Sequence, residues 1–543
     1  MTATTATTVT GTALSAGPPW MMTRLALRQV RRGALIVIAL AAGMPALVAA
    51  TYAGVMADPA AAGSLQSLAG NPAIRTLFGE PVALDQAGGF TVWRVGTVVA
   101  VLLGAWAILA TNGITRGEED AGRWDVLLAG RITLRTAVAR HVMIVMAVAS
   151  AAGSGVSAVL LAAGTAPAGA LIHGAGIGVL GMYFAAVAGL AAQVFPARPT
   201  ATGAAVAVLG VGLLTRMIGD GVTDLSWLRW LSPFGLLALS SPYHQDRILP
   251  LLVLLAATLL VATAMLAAAG RRDVRGGLVA ASPSRPPRLR LLGSVEMFAL
   301  RRLLRPLSGW ALGIGAYYLL IGMTAVSVTD FLAGDPALAD GAAEAGFGDI
   351  GAVKGFTATL FAILALPVGG FTAVRMAAFV AAETDRRLTM LAAQPVGRLR
   401  PLGAEMLVTA AGAVVLVTVA GVVTWCGVVV AGGDLSLLAA VQGAWNPLPI
   451  IFLSLAAAAL AVGWAPRAVA VVGSLPATGG FLLLVIAESV DAPDRVRDVS
   501  PFAHLAPVPL QNADWPATAV MTGLAVVMAA AAAAGYRRRD LCV

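Results

Sequence analysis

Apolar residues run through this chain in blocks of about twenty, divided by short polar segments. A bilayer core is about 30 Å thick, so a helix needs roughly 20 consecutive apolar residues to cross it. Blocks of that length predict about twelve spanning helices. Six are expected at 33–54, 92–111, 139–163, 167–193, 199–219 and 248–270. Six more are expected at 307–328, 355–377, 404–430, 445–464, 466–488 and 517–536.

The polar segments set an orientation. With the N-terminus placed inside, the inner segments hold 28 of the 36 Arg/Lys residues but only 10 of the 27 Asp/Glu residues. That imbalance follows the positive-inside rule and predicts that both termini are cytoplasmic. The first 19 residues are small, polar and uncharged, without the basic and apolar regions of a signal peptide. A disordered cytoplasmic tail is expected there. Arg24, Arg28 and Arg31, and later Arg301 and Arg305, share their segments with apolar residues at helical spacing. These segments read either as elbow helices in the headgroup region or as plain flanking charge.

Composition agrees with the pattern. Of the 543 residues 59% are apolar and 12% charged, against about 25% charged in soluble domains. Soluble, disordered and disulfide-scaffold classes are excluded. Cys426 and Cys542 form neither a disulfide framework nor a Cys-ligated metal site. The net charge of +9 marks membrane orientation here rather than nucleic acid. Lys354 is the only lysine and is followed by Gly355. A P-loop needs Lys-Ser or Lys-Thr at that point, so the chain has no Walker A motif. Any ATP that drives it is hydrolysed elsewhere.

The two halves echo each other. LALR at 25–28 matches FALR at 298–301, and EDAGRWDVLLAGR (119–131) matches ETDRRLTMLAAQP (383–395) at an offset of 264. LSPFGLLA (231–238) matches VSPFAHLA (499–506) at an offset of 268. The expected fold is therefore all-α and polytopic, with two parallel six-helix repeats. Residues 20–270 form the first half, 271–294 a basic Pro/Gly linker, and 295–543 the second half.

In the repeated loop, Glu119, Arg123 and Leu127 fall on one helical stripe, as do Glu383, Arg387 and Leu391. A Glu four residues before an Arg is the favoured helical ion pair. Such a pair is either a solvated surface feature or part of a rigid helix that docks on a partner. The SPF segments, with Pro233, Phe234, Pro501 and Phe502, lie before the last span of each half. Proline interrupts both apolar stretches. They read as re-entrant caps on an exit or as interfacial loops anchored by Trp227 and Trp230.

These loop and SPF motifs resemble those of ABC-2 type exporter permeases. The closest likeness is to the fused, double-length actinobacterial type, which exports polyketide antibiotics (tetronasin-like) and other drugs. The resemblance implies coupling helices at 118–130 and 382–394, seated on ATP-binding subunits. It gives Glu119, Arg123, Trp124, Leu127, Glu383, Arg387 and Leu391 the docking role. The partners implied are two copies of an ATP-binding subunit, which bind ATP and Mg, and the location is the inner membrane of a bacterium. No cofactor is expected on this chain. Trp124 becomes Leu388 and Gly130 becomes Gln394 in the second copy, so the two docking faces differ.

His141, His173, His244 and His504 show no metal-ligand spacing, and no metal site is expected. His173 lies within a span, where a hydrogen bond between helices and a proton relay are both open. Nothing groups a nucleophile, base and oxyanion site, so enzymatic chemistry is not expected. Trp106, Phe361 and Phe481 would suit an amphipathic cargo or serve as packing positions. The alternative function is a proton-coupled secondary transporter for drugs, which needs ionisable residues in mid-membrane. The runs at 33–54, 445–464 and 517–536 hold no acidic residue.

Overall fold

A computed structural model describes residues 19–55, 75–76, 78–130, 132–279, 291–333, 353–388, 391, 393–489 and 492–539. Most of the expected N-terminal tail and residues 280–290 of the linker lie outside them. Every regular element among the described residues is helical. Among the described residues, twelve helical segments are long and apolar enough to span a bilayer, as the block lengths predict. The chain divides into two compact units. One comprises Met1–Gly70 and Ile74–Arg285, the other Asn71–Ala73 and Pro286–Val543.

In the first unit the spans are built on α1 (Pro19–Val55), α2 (Ala87–Ile114), α5 (Leu134–Ala162), α6 (Pro167–Val194), α7 (Arg198–Gly221) and α9 (Leu249–Ala269). Two five-residue helices follow α2, namely α3 (Arg116–Asp120) and α4 (Arg123–Leu127). A short α8 (Pro233–Leu239) precedes α9. Helix starts are specified locally: Thr133 accepts from the Thr136 amide, and proline opens α6, α8 and α9. Between α5 and α6 the backbones meet through glycine. A Cβ on Gly153 would lie 2.3 Å from the Gly174 carbonyl oxygen, so no larger residue fits this approach.

The second unit contains α10 (Val295–Ala333), α11 (Val353–Ile363), α12 (Ala365–Thr384), α13 (Arg400–Val430), α14 (Leu437–Trp445), α15 (Leu448–Trp464), α16 (Val469–Ser474), α17 (Gly480–Ser489) and α18 (Trp515–Arg538). Several spans are composite. Pro447 divides α14 from α15, and a π-turn at Leu475–Gly479 joins α16 to α17.

The basic segments at 24–31 and 301–305 do not form separate elbows. They are the first turns of the continuous helices α1 and α10. Met22, Ala26 and Val30 are buried on α1, as are Val295, Ala299 and Leu303 on α10. The i, i+4 apolar stripe is satisfied within each unit's own core.

Candidate functional site

The first repeated loop is not the single helix expected at 118–130. Gly122 takes a left-handed conformation (φ +73°), which ends α3 and starts α4 in a new direction. The break separates Glu119 from Arg123. Glu119 is 1% exposed and receives Arg272 Nη1 at 2.6 Å and Nη2 at 2.8 Å. It also accepts the Arg275 amide at 2.6 Å and lies 3.2 Å from Arg116 Nη1. Arg123 instead forms a bidentate pair with Glu118, both bonds 2.6 Å. That pair holds the Arg123 pKa above its ordinary value. Trp124 is fully buried beside His141, with ring centroids 5.3 Å apart. Leu127 packs against the same core. The open face of α4 consists of Arg123, Asp125 and Val126, the last 81% exposed.

The second loop departs from expectation in the same way. α12 ends at Thr384 and turns follow, with Arg386 left-handed (φ +58°). Of the helix expected at 382–394, residues 389, 390 and 392 lie outside the described residues. Arg387 pairs with Asp385 at 3.3 Å, not with Glu383. Glu383 accepts a hydrogen bond from the Tyr536 hydroxyl and lies 3.2 Å from Arg539 Nη2. Leu388 and Leu391 are half-buried against apolar neighbours.

A common arrangement replaces the expected i, i+4 pairs. Each repeated glutamate sits at the end of its unit's second span and is tied to an arginine just after that unit's last span. The sequence carries a signal for it. Arg271-Arg272-Asp273 and Arg538-Arg539-Asp540 stand at an offset of 267. Arg272 and Arg539 are thus equivalent positions. Helix periodicity cannot find this contact, because its members lie 153 residues apart in the first unit.

The SPF segments also match in detail. Ser232 Oγ donates to the Gly212 carbonyl at 2.6 Å and accepts the Gly235 amide at 3.1 Å. Ser500 Oγ donates to the Gly480 carbonyl at 2.8 Å and accepts the Phe502 amide at 3.2 Å. Pro233 and Pro501 press on those same glycines. A Cβ would meet their Cδ atoms at 3.2 Å on Gly212 and 2.8 Å on Gly480. Phe234 packs on Phe184 (centroids 5.5 Å) and Phe502 on Phe481 (5.6 Å). Both SPF phenylalanines are buried, while Trp227 and Trp230 are exposed. Each SPF segment is therefore a fixed corner with an inward phenylalanine.

Among the cargo candidates, Phe361 is 1% exposed and stacks on Tyr318. Trp106 is half-buried against the first unit's core and Phe481 against the second's. His173 is buried on α6. Two further ionic clusters with buried carboxylates lie outside the repeated sequence motifs: Arg216 with Asp220 (2.5 Å), and Arg375 and Arg302 with Glu405. Among the described residues no group of three or more His, Cys, Asp or Glu side chains could hold a metal ion.

Comparison with known proteins identifies relatives of this chain. The family described as "Multidrug efflux system permease Rv1217c, C-terminal domain" matches residues 22–270 and 292–537. The multidrug efflux system permease protein Rv1217c of Mycobacterium tuberculosis (strain ATCC 25618 / H37Rv) is 30% identical over 518 residues. That match covers 93% of this chain and 91% of the relative.

Proposed function

Because the chain belongs to the Rv1217c family of multidrug efflux permeases, we propose that it is the membrane subunit of an ATP-driven exporter of ABC-2 type, with both halves of the pathway fused in one polypeptide. It is a multi-pass protein of the bacterial inner membrane. In this reading both termini and both repeated loops face the cytoplasm, the side favoured by the arginine bias. The loops dock on two copies of an ATP-binding subunit, which hold ATP and Mg and carry out hydrolysis. The cargo is an amphipathic or hydrophobic drug-like compound, moved outward.

The observation that carries this reading is the pair of anchored loops. Glu119 with Arg272, and Glu383 with Arg539, tie the end of the second span to the end of the last span in each unit. A loop fixed at that point moves as one piece with two spans, which suits transmission of a push from an attached subunit. The roles within the loop divide accordingly. Glu119 and Glu383 are internal struts, Trp124 is a buried anchor, and Arg123, Asp125 and Val126 offer the contact face. In the second loop Asp385 and Arg387 lie exposed at the equivalent point. In each half the buried SPF corner is an outer gate element, braced against the fifth span of that half.

The test is purification of the complex from cells producing this chain with its ATP-binding partner, followed by native mass spectrometry. One permease chain with two ATP-binding chains is expected. Two permease chains per complex would overturn the fused-pathway reading.

A further inference from the structure

Three guanidiniums share two carboxylates near the end of α7 in the first unit. Arg216 lies 2.5 Å from Asp220. Arg229 is 2.9 Å from Glu80 and 3.8 Å from Asp220, and Arg75 is 3.8 Å from Glu80. The network therefore carries one positive charge beyond what its own carboxylates neutralise. The start of α7 lies at the Glu119 end of the unit, where the Arg198 amide donates to Asp120 at 2.9 Å. Its other end, with Arg216, lies at the opposite end of the spans.

Arg216 is 3% exposed. Its Nη2 donates to the Phe78 carbonyl at 2.8 Å, while Nη1 has no hydrogen-bond partner among the described residues. Arg216, Arg229, Glu80, His173, Trp93 and Phe78 all border one cavity of about 70 Å³. His173, also 3% exposed, leaves Nδ1 without a hydrogen-bond partner among the described residues. A guanidinium nitrogen can only donate, and a buried donor left unpaired is unfavourable. Both Asp220 oxygens also lack a hydrogen bond among the described residues and are held as an ion pair by Arg216 and Arg229, so a group that completes Arg216 Nη1 must bring an acceptor.

We propose that this cavity binds the carboxylate head of a singly charged amphiphile. Arg216 Nη1 donates to the carboxylate, and the single excess charge of the network matches one anion. A dianion would exceed that charge, and a cation would face the same arginines. The cavity takes a carboxylate and its first carbons, not a whole drug. Phe78 and Trp93 flank it and provide the apolar side along which the chain leaves. The site belongs to the first half only: the residue 268 positions after Arg216 is Leu484, and that after His173 is Val441. Taking this amphiphile as cargo rests on the permease reading, whereas its binding does not.

The experiment uses the purified full-length chain in lipid nanodiscs, without ATP or partner. A 12-carbon fatty acid bearing a photoreactive diazirine is the probe, and labelled peptides are mapped by mass spectrometry. Labelling is expected within 78–97 and 229–242, displaced by decanoate. Methyl decanoate and decyltrimethylammonium should displace it about tenfold less well or worse, the loss expected when a hydrogen bond to a charged group is removed. Arg216→Gln alone would strand Asp220, so the paired variant Arg216→Gln/Asp220→Asn is used, with gel filtration to check folding. It should lose labelling by the same factor. Equal competition by acid and ester on the unmodified chain would overturn the proposal whether or not that variant folds. So would labelling confined to other segments, or undiminished labelling of a folded paired variant. Because no ATP enters the assay, failure of the ATP-driven reading would leave these results unchanged, and the reverse also holds.

Discussion

Glu119 and Arg272 form a buried bidentate pair, with bonds of 2.6 and 2.8 Å, that closes the first repeated loop onto the end of its unit's last span. The Arg272 side chain is 2% exposed and that of Glu119 1%. Water screens such a pair little, and neither partner can lose the other without leaving a buried charge. The loop's geometry therefore depends on a contact that its own sequence does not contain.

Removing one member should be strongly destabilising. Arg272→Gln leaves Glu119 with Arg116 and one backbone amide, and a cost of about 3–5 kcal/mol is expected for breaking a buried pair. The readouts are thermal denaturation in detergent and limited proteolysis of the loop between residues 116 and 133. The exchanged variant Glu119→Arg/Arg272→Glu should recover less than the full loss, because Arg116 would then face a second guanidinium. A stability unchanged by Arg272→Gln would show that the loop is held by other contacts.

Arg123→Glu should behave differently. Its side chain is 60% exposed and paired with Glu118, so the cost to folding should stay below about 1 kcal/mol. If α4 docks on an ATP-binding partner as proposed, the same change should weaken assembly by about 30-fold or more. Co-purification of the ATP-binding partner measures this. Trp124→Ala should give the opposite profile, with a loss of about 3–5 kcal/mol from a filled core position.

The SPF corners predict a graded pair of glycine effects. Gly480→Ala places a Cβ 2.8 Å from Pro501 Cδ, whereas Gly212→Ala places it 3.2 Å from Pro233 Cδ. The former forces a shift between two backbone-fixed groups and should cost about 1–3 kcal/mol, the latter less. Ser232→Ala and Ser500→Ala should each cost about 1–2 kcal/mol, since cap and carbonyl contact go together. Melting temperatures of the four variants, ranked in one detergent, check the order.

The spans and the repeated landmarks were legible in the sequence, because each depends on length, periodicity or residue identity. The ion pairs were not. The expectation of Glu119–Arg123 and Glu383–Arg387 pairs assumed an unbroken helix. Gly122 breaks the first, and α12 ends before Arg387 in the second. A left-handed glycine inside EDAGRWD was a readable warning, and the duplicated Arg-Arg-Asp was a readable partner. The Arg216–Asp220 and Arg375–Glu405 clusters were less accessible. Their members are scattered through apolar spans, and their pairing is decided by which helix faces meet.

The proposed function makes ATP hydrolysed by a partner the energy source of this permease. The most direct measurement is dye uptake into inverted membrane vesicles from cells producing the chain together with its ATP-binding subunit. Uptake should require hydrolysable ATP, persist when a protonophore collapses the proton gradient, and vanish when the ATP-binding subunit is omitted. Uptake driven by an imposed pH gradient without ATP would contradict the ATP-driven reading and identify a proton-coupled carrier instead.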